Sequence, residues 1–290
     1  MELLFLGTGA GDFQALDDVK NDSPYIVAAR QAGGRNLRYA SAALLVPDIL
    51  IDCHDTRQLE RFRGSAAAIR HLLITHGHWD HFQPRAVIDL AAGLADPLPV
   101  YGTSVVGDAL VFAAEHVWDE ETGRFHVGKE VANWRFHSVD PGDCFQVGTA
   151  RVTAVRASHM LDKGRHLIEQ PALNYVIEQD GVTLFYGLDS SYLLPETLDI
   201  LAGFRLDALI LDATFGERVI DPALSGHMNF AMVAETVAEL RAIGAVSDES
   251  AIIGSHISLA TVPPHEEIAA DQARRGFILA YDGMTWQPGQ

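Results

Sequence analysis

Basic residues are scarce in this chain. Its 290 residues include 21 Lys or Arg against 39 Asp or Glu, a formal net charge of −18. Affinity for nucleic acid comes largely from basic side chains that neutralise phosphates, so a long polynucleotide is a disfavoured partner. Cysteine is almost missing as well. Cys53 and Cys144 are the only two, enough for one bridge at most and without CxxC spacing, which points to a reducing compartment. No apolar run approaches the ~20 residues that span a bilayer. The opening Met1-Glu2-Leu3-Leu4-Phe5-Leu6-Gly7 carries an acid where an export signal needs basic residues. The expected location is therefore cytoplasmic, with no membrane partner. Low-complexity tracts, internal repeats and Pro/Gly-rich linkers are lacking too, so residues 1–290 are expected to form one domain.

What is present is the composition of a folded chain: 48% hydrophobic residues, 21% charged residues and a mean hydropathy of +0.07. Short β-branched or Leu-rich runs alternate with helical patterns along the whole length. Strands are expected at Leu3–Leu6, Ala43–Val46, Ile49–Asp52, Leu72–Thr75, Arg151–Ala157, Leu173–Glu178, Thr183–Gly187, Ala208–Leu211 and Ala251–Gly254, among others. Helices are expected near Thr56–Phe62, Arg85–Leu94, Ser104–Glu115, Pro195–Ala202, Phe230–Ile243 and His265–Arg275. The clearest follows Asn229, a good N-cap, and presents Phe230, Val233, Val237 and Leu240 at spacings of three and four. Gly7–Arg38 and His116–Val131 show no clear period and read as long loops, the kind that carry function.

The run His71-Leu72-Leu73-Ile74-Thr75-His76-Gly77-His78-Trp79-Asp80-His81 leads a buried strand into three histidines and an aspartate within six residues. His76 and His78 can turn toward one point and Asp80 and His81 toward a second, which suits two adjacent metal ions. Imidazole with carboxylate fits zinc and also admits manganese or iron. Solvated loop histidines are the plain alternative, but such density at the mouth of an apolar strand argues for ligands.

This run resembles the H-x-H-x-D-H signature of the metallo-β-lactamase superfamily, and the likeness extends over nearly the whole chain. It implies a four-layer αββα sandwich of two mixed β-sheets with a two-metal site at the sheet edge. Carried over residue by residue, it implies metal ligands His76, His78, Asp80, His81, His159, Asp189 and His256, with Asp189 bridging, and Asp52 orienting the metal loop. Taken singly, His159 or His256 reads as an ordinary loop histidine and Asp189 as a turn residue or cap. As a set, each follows an expected strand, which puts them on one edge. The implied chemistry is hydrolysis by a hydroxide bridging the two ions, with Asp80 among the catalytic residues.

Within that superfamily, three more segments resemble the phosphodiesterase group: Leu4-Phe5-Leu6-Gly7-Thr8-Gly9, Leu211-Asp212-Ala213-Thr214 with Ser225-Gly226-His227-Met228, and Ala280-Tyr281-Asp282-Gly283-Met284. The group contains the cyclic-phosphate phosphodiesterase of the carbon–phosphorus lyase pathway and, more distantly, RNase Z. The resemblance implies a small anionic substrate, a phosphodiester, with His227 as general acid or hydrogen-bond donor to the phosphate and Asp212 as its support. The plain alternatives are that His227 shapes the turn before a helix and that Asp212 caps a loop. Gly11–Arg30 holds no cysteine and Leu259 stands where a further histidine would, so the extra structural metal of the cyclic-phosphate enzyme is not expected. Arg35, Arg38, Lys163, Arg165 and His54 read as solvated loop residues before substrate contacts, and Trp79 as a packing residue. Rival readings are an RNase Z-like endonuclease, a lactone or thioester hydrolase, and a metal- or cofactor-binding protein without turnover. A homodimer is left open.

Overall fold

Runs such as Leu3–Leu6 and Leu209–Leu211 are apolar on both faces, which a strand tolerates only when both faces of its sheet are covered. The computed structural model, which describes residues 1–119, 121–128, 133–159, 172–222 and 225–289, shows how that covering is achieved. In chain order the elements are β1 (Leu3–Gly7), α1 (Pro24–Ala32), β2 (Ala42–Leu45), β3 (Ile49–Ile51), α2 (Arg57–Arg63), β4 (His71–Leu73), α3 (Pro84–Ala92), β5 (Leu98–Gly102), α4 (Ser104–Glu115), β6 (His116–Asp119), β7 (Arg124–Val127) and β8 (Trp134–Ser138). They continue with β9 (Cys144–Val147), β10 (Ala150–Arg156), β11 (Leu173–Gln179), β12 (Val182–Gly187), α5 (Pro195–Leu201), β13 (Leu206–Asp212), α6 (Phe230–Ala242), β14 (Val246–Ser255), α7 (His265–Arg274), β15 (Ile278–Leu279) and β16 (Thr285–Trp286).

Two seven-stranded sheets result, ordered β16-β1-β2-β3-β4-β5-β8 and β15-β14-β13-β12-β11-β10-β9. Each is mixed. β3, β4, β5 and β8 run parallel, as do β12 to β15, whereas β1–β2–β3 and β9 to β12 are antiparallel. The inner faces form one core, in which Phe5, Ile51 and Leu73 of the first sheet meet Val152, Tyr175, Tyr186 and Ile210 of the second. The Tyr175 hydroxyl donates to the Ile74 carbonyl at 2.7 Å and so satisfies its polar tip inside the core. The outer faces are covered separately. Leu59, Val87, Val106 and Leu110 seal the first sheet, and Leu201, Phe230, Val233 and Leu240 the second. This is the αββα order that the sequence implies.

The cap of α6 is as expected: Asn229 has extended backbone and its side chain accepts from the Met232 amide, a contact worth about 1 kcal/mol. Two stretches read as loops carry structure. α1 lies inside Gly7–Arg38, and β6 and β7 pair as a separate ribbon inside His116–Val131. Both escape the pattern because they bury so little. α1 buries only Ile26 and Ala29, which pack on Leu259, and every residue of β7 is exposed. Among the described residues no helix is long and apolar enough to cross a membrane.

Candidate metal centre

In the first sheet β3 and β4 run parallel, and in the second β10, β12, β13 and β14 point their carboxyl ends the same way, a consequence of the parallel pairings and of the double reversal from β10 to β12. Ligand sites in open α/β sheets gather at such ends. Asp52 follows β3, His76 to His81 follow β4, His159 follows β10, Asp189 follows β12, Asp212 closes β13 and His256 follows β14. Among the described residues only four other than glycine have positive φ, and three are Asp52 (61°), Asp189 (50°) and His256 (60°). Left-handed backbone costs roughly 1–2 kcal/mol per residue, and its concentration here marks a place where side-chain direction outweighs local comfort.

All seven residues expected as ligands converge. His78 Nδ1 lies 3.0 Å from His159 Nε2, and His159 Nε2 and His76 Nε2 each lie 3.3 Å from Asp189 Oδ2. The other oxygen of that carboxylate, Oδ1, lies 3.0 Å from His256 Nε2 and 3.2 Å from His81 Nε2. Those two nitrogens are 3.2 Å apart, and Asp80 Oδ2 sits 3.4 Å from the first and 3.8 Å from the second. Asp189 thus faces one set of side chains with each of its oxygens.

The donor atoms fit divalent cations. His76 Nε2 and Asp189 Oδ1 are buried and make no hydrogen bond although several nitrogens and oxygens crowd within 3.3 Å, and groups of His and Asp offer atoms within 4.8 Å of one another. Electrostatics points the same way. Burial pushes His159 well below the ordinary imidazole pKa and, with His76 beside it, His78 down to about 4, so both are neutral rings with a lone pair to offer. Burial also opposes the charged forms of His81 and His256, yet Asp189 and Asp52 raise the first well above its ordinary value and Asp189 with Asp80 raises the second to about 10. Asp80 and Asp189 stay below the ordinary carboxylate range despite burial, held by the same imidazoles. The carboxylates demand positive charge, which cations can supply in place of protons.

Supporting groups fix the donors. Asp52 is wholly buried; its Oδ1 accepts from the Thr75 amide at 2.8 Å and its Oδ2 from His81 Nδ1 at 2.8 Å, which turns the lone pair of His81 Nε2 toward the cluster. His159 Nδ1 donates to the Gly226 carbonyl at 3.0 Å; a Cβ on Gly226 would lie 2.4 Å from that nitrogen, so only glycine fits. Asp212 accepts from the Thr214 and Met228 amides with Oδ1 and from His227 Nδ1 at 2.8 Å with Oδ2. Burial lowers the His227 pKa but Asp212 more than offsets it, and the net shift is upward. His227 stacks on His256 with centroids 5.1 Å apart and keeps 24% of its side chain exposed.

Sequence reasoning missed three contributors. Thr214 Oγ1 lies 2.7 Å from His256 Nδ1, and Thr75 Oγ1 lies 3.0 Å from His76 Nδ1. Asp12 accepts from Ser258 Oγ and from the Leu259 and Ala260 amides, which pins the turn after His256. None of these carries a spacing signal: Thr75 touches its chain neighbour His76, and Thr214 and Asp12 act across the fold. Arg38 departs from expectation: it is buried, donates to Thr8 Oγ1 and the Ala280 carbonyl, and is neither a solvated charge nor part of the metal cluster. Trp79 packs as expected, stacked on Phe13 at 5.1 Å. Lys163 and Arg165 lie outside the described residues.

A family model for the beta-lactamase superfamily domain matches residues 47–256. No curated protein matches the chain. Among solved structures, a diphosphatase of the PhnP family is similar at TM-score 0.69 and 20% identity over 99% of this chain and 97% of the other. The short form of human tRNase Z is similar at TM-score 0.66 and 20% identity over 100% of both chains. Zn(2+)-bound PqqB from Methylobacterium extorquens is similar at TM-score 0.68 and 19% identity over 99% and 100%. At these identities the likeness is one of fold.

Proposed function

We propose, because this chain belongs to the beta-lactamase superfamily, that it is a two-metal hydrolase of a small or cyclic phosphodiester. One observation carries the reading: Asp189 divides its two oxygens between two sets of donors, beside an imidazole braced by the Asp212 carboxylate. His76, His78 and His159 would hold one cation, Asp80, His81 and His256 the other, and Asp189 both. Zinc or manganese suits the donors best, with iron a further candidate. Cations at such sites supply Lewis acidity, which brings the pKa of a coordinated water near 7 and screens phosphoryl oxygens.

The remaining work falls to the chain's own side chains. Asp212 accepts a hydrogen bond from Nδ1–H of His227, so Nε2 is the ring nitrogen left for substrate, and the upward shift of its pKa favours a proton there for the leaving oxygen. Asp80 offers a carboxylate beside the reacting centre, and its held-down pKa keeps it ionised and able to accept a hydrogen bond. The metal pocket takes a small anion, whereas the charge of −18 opposes a long RNA.

The test is turnover of bis-p-nitrophenyl phosphate beside a lactone and a thioester panel, on protein loaded with zinc or manganese. The phosphodiester alone is expected to be turned over, and His227→Ala is expected to lower kcat by roughly 10²- to 10⁴-fold. Lactone or thioester turnover without phosphodiester turnover would overturn the substrate class. Tight metal binding with no turnover of any of the three would make the chain a binding protein.

A further inference from the structure

His256 has two ring nitrogens, and they face two different sets of donors. Nε2 turns to Asp189 and Asp80, inside the two-metal cluster. Nδ1 turns away from it, to lie 2.7 Å from Thr214 Oγ1 and 3.6 Å from Asp212 Oδ2. His227 Nδ1 closes the group, 2.8 Å from the same Asp212 oxygen and 3.4 Å from the same Thr214 oxygen. Asp189, Asp212, His227 and His256 offer atoms within 4.8 Å of one another. Zinc bonded to nitrogen and oxygen at about 2.0–2.2 Å in a tetrahedron sets its donors about 3.3–3.6 Å apart. Two of the four contacts already have that spacing, and the two shorter ones are hydrogen-bonded pairs that need to spread by only about half an ångström.

The frame around these four atoms is built without them. Asp212 Oδ1 accepts from the Thr214 and Met228 amides, Thr214 Oγ1 donates to the His256 carbonyl, and the rings of His227 and His256 stack with planes 13° apart. Asp212, Thr214 and His256 are buried, whereas His227 keeps part of its ring exposed, which leaves a way in from solvent. The field of a chain with net charge −18 draws cations toward it. Two imidazoles, a carboxylate and a hydroxyl suit zinc, while manganese stands at the weak end of the affinity order for such donors.

We infer that Asp212, Thr214, His227 and His256 Nδ1 form a third cation site, selective for zinc over manganese, whose filling switches hydrolysis off. The ion takes the place of the Nδ1 protons of His227 and His256, and both protons leave to solvent. Thr214 keeps its own, which points at the His256 carbonyl. A His227 ring with a cation on Nδ1 carries no exchangeable proton beyond the Nε2 proton of a neutral imidazole, too weak an acid to serve a leaving oxygen. The inhibitory part of this inference rests on the phosphodiesterase reading; the binding part does not.

Equilibrium dialysis of the metal-free chain against buffered zinc, with the bound metal counted, tests the site. The wild type is expected to bind one zinc more than His227→Phe, which keeps the ring stacked on His256 but has no donor atom. Asp212→Asn, which keeps both backbone amides, is expected to lose the same ion, and both variants should retain the tighter pair. In manganese the three proteins should bind equal numbers of ions. Turnover of bis-p-nitrophenyl phosphate by the wild type should fall roughly 10²-fold or more as free zinc rises through the range where the last ion binds, with no such fall in manganese. Equal zinc counts in the wild type and both variants would overturn the site. An extra zinc that leaves turnover unchanged would overturn the switch. If the diester is not cleaved at all, the phosphodiesterase reading falls and the zinc count alone decides.

Discussion

Replacing Asp52 with asparagine changes one oxygen for an amide and tests how the metal loop is held. In the wild type the Oδ1 atom accepts from the Thr75 amide at 2.8 Å and from Thr75 Oγ1 at 3.0 Å, and Oδ2 accepts from Thr75 Oγ1 at 2.9 Å and from His81 Nδ1 at 2.8 Å. Asparagine has one acceptor for these donors, and both side chains are wholly buried. If the amide NH₂ faces the Thr75 amide, two donors collide. If it faces His81, the ring must accept at Nδ1 and carry its proton on Nε2, the nitrogen that lies 3.2 Å from both Asp189 and His256. The first arrangement leaves a buried donor unmade at about 1–3 kcal/mol. The second blocks a donor atom of the cluster. Removing such a partner of a metal-binding histidine costs about 10- to 100-fold in metal affinity. Asp52→Asn is therefore expected to unfold at lower urea concentration in the metal-free state, by about 1–3 kcal/mol, or to bind zinc at least about tenfold more weakly in chelator competition. A variant with both stability and zinc affinity of the wild type would refute the assignment.

Asp212→Asn should behave differently, because Oδ1 can keep both backbone amides and only the His227 contact is inverted. Unfolding should shift by less than about 1 kcal/mol, while kcat falls by roughly 10²- to 10⁴-fold; a matched loss of stability and activity would contradict this. Metal binding should release protons, since Asp189 and its neighbours hold His81 and His256 protonated without a cation. Calorimetric heats that do not vary with the buffer's ionisation enthalpy would argue against it. At a zinc concentration about 1,000 times Kd the stabilisation is about 4 kcal/mol, seen as a rise in Tm of roughly 8 °C or more. His265 is held at about 4 by burial and by Arg38, whose Nη2 lies 3.3 Å from its Nδ1. The unfolded imidazole titrates near 6.5, so below that pH the unfolded chain takes up the extra proton and the wild type loses stability down to about pH 4. After allowance for screening this amounts to about 2 kcal/mol. The stability of the wild type relative to His265→Gln should fall by that amount between pH 7 and 4, and a difference independent of pH would be evidence against it.

Several features were legible in the chain because they are local. A strand such as Leu72–Thr75 shows itself by its apolar run, α6 by the spacing of Phe230, Val233 and Val237 after a capping Asn229, and the metal loop by three histidines and an aspartate packed into six residues. Resemblance then extended that loop to His159, Asp189 and His256, and all three reach it. Elements with little buried surface, α1 and the β6–β7 ribbon, left no period to read.

Other features belong to tertiary structure alone. Which oxygen of Asp189 faces which histidines depends on strands from two sheets ending side by side, a matter of pairing order and direction that no spacing encodes. Thr214 and Asp12 act on residues 42 and 248 positions away, and Arg38 becomes a buried tie because Thr8 and Ala280 close over it. Phe13, Tyr39 and His54 line one cavity although they share no periodic pattern. Hydrogen bonds and ring contacts fall off within a few ångströms whatever the separation along the chain, so their partners are chosen only when the sheets assemble.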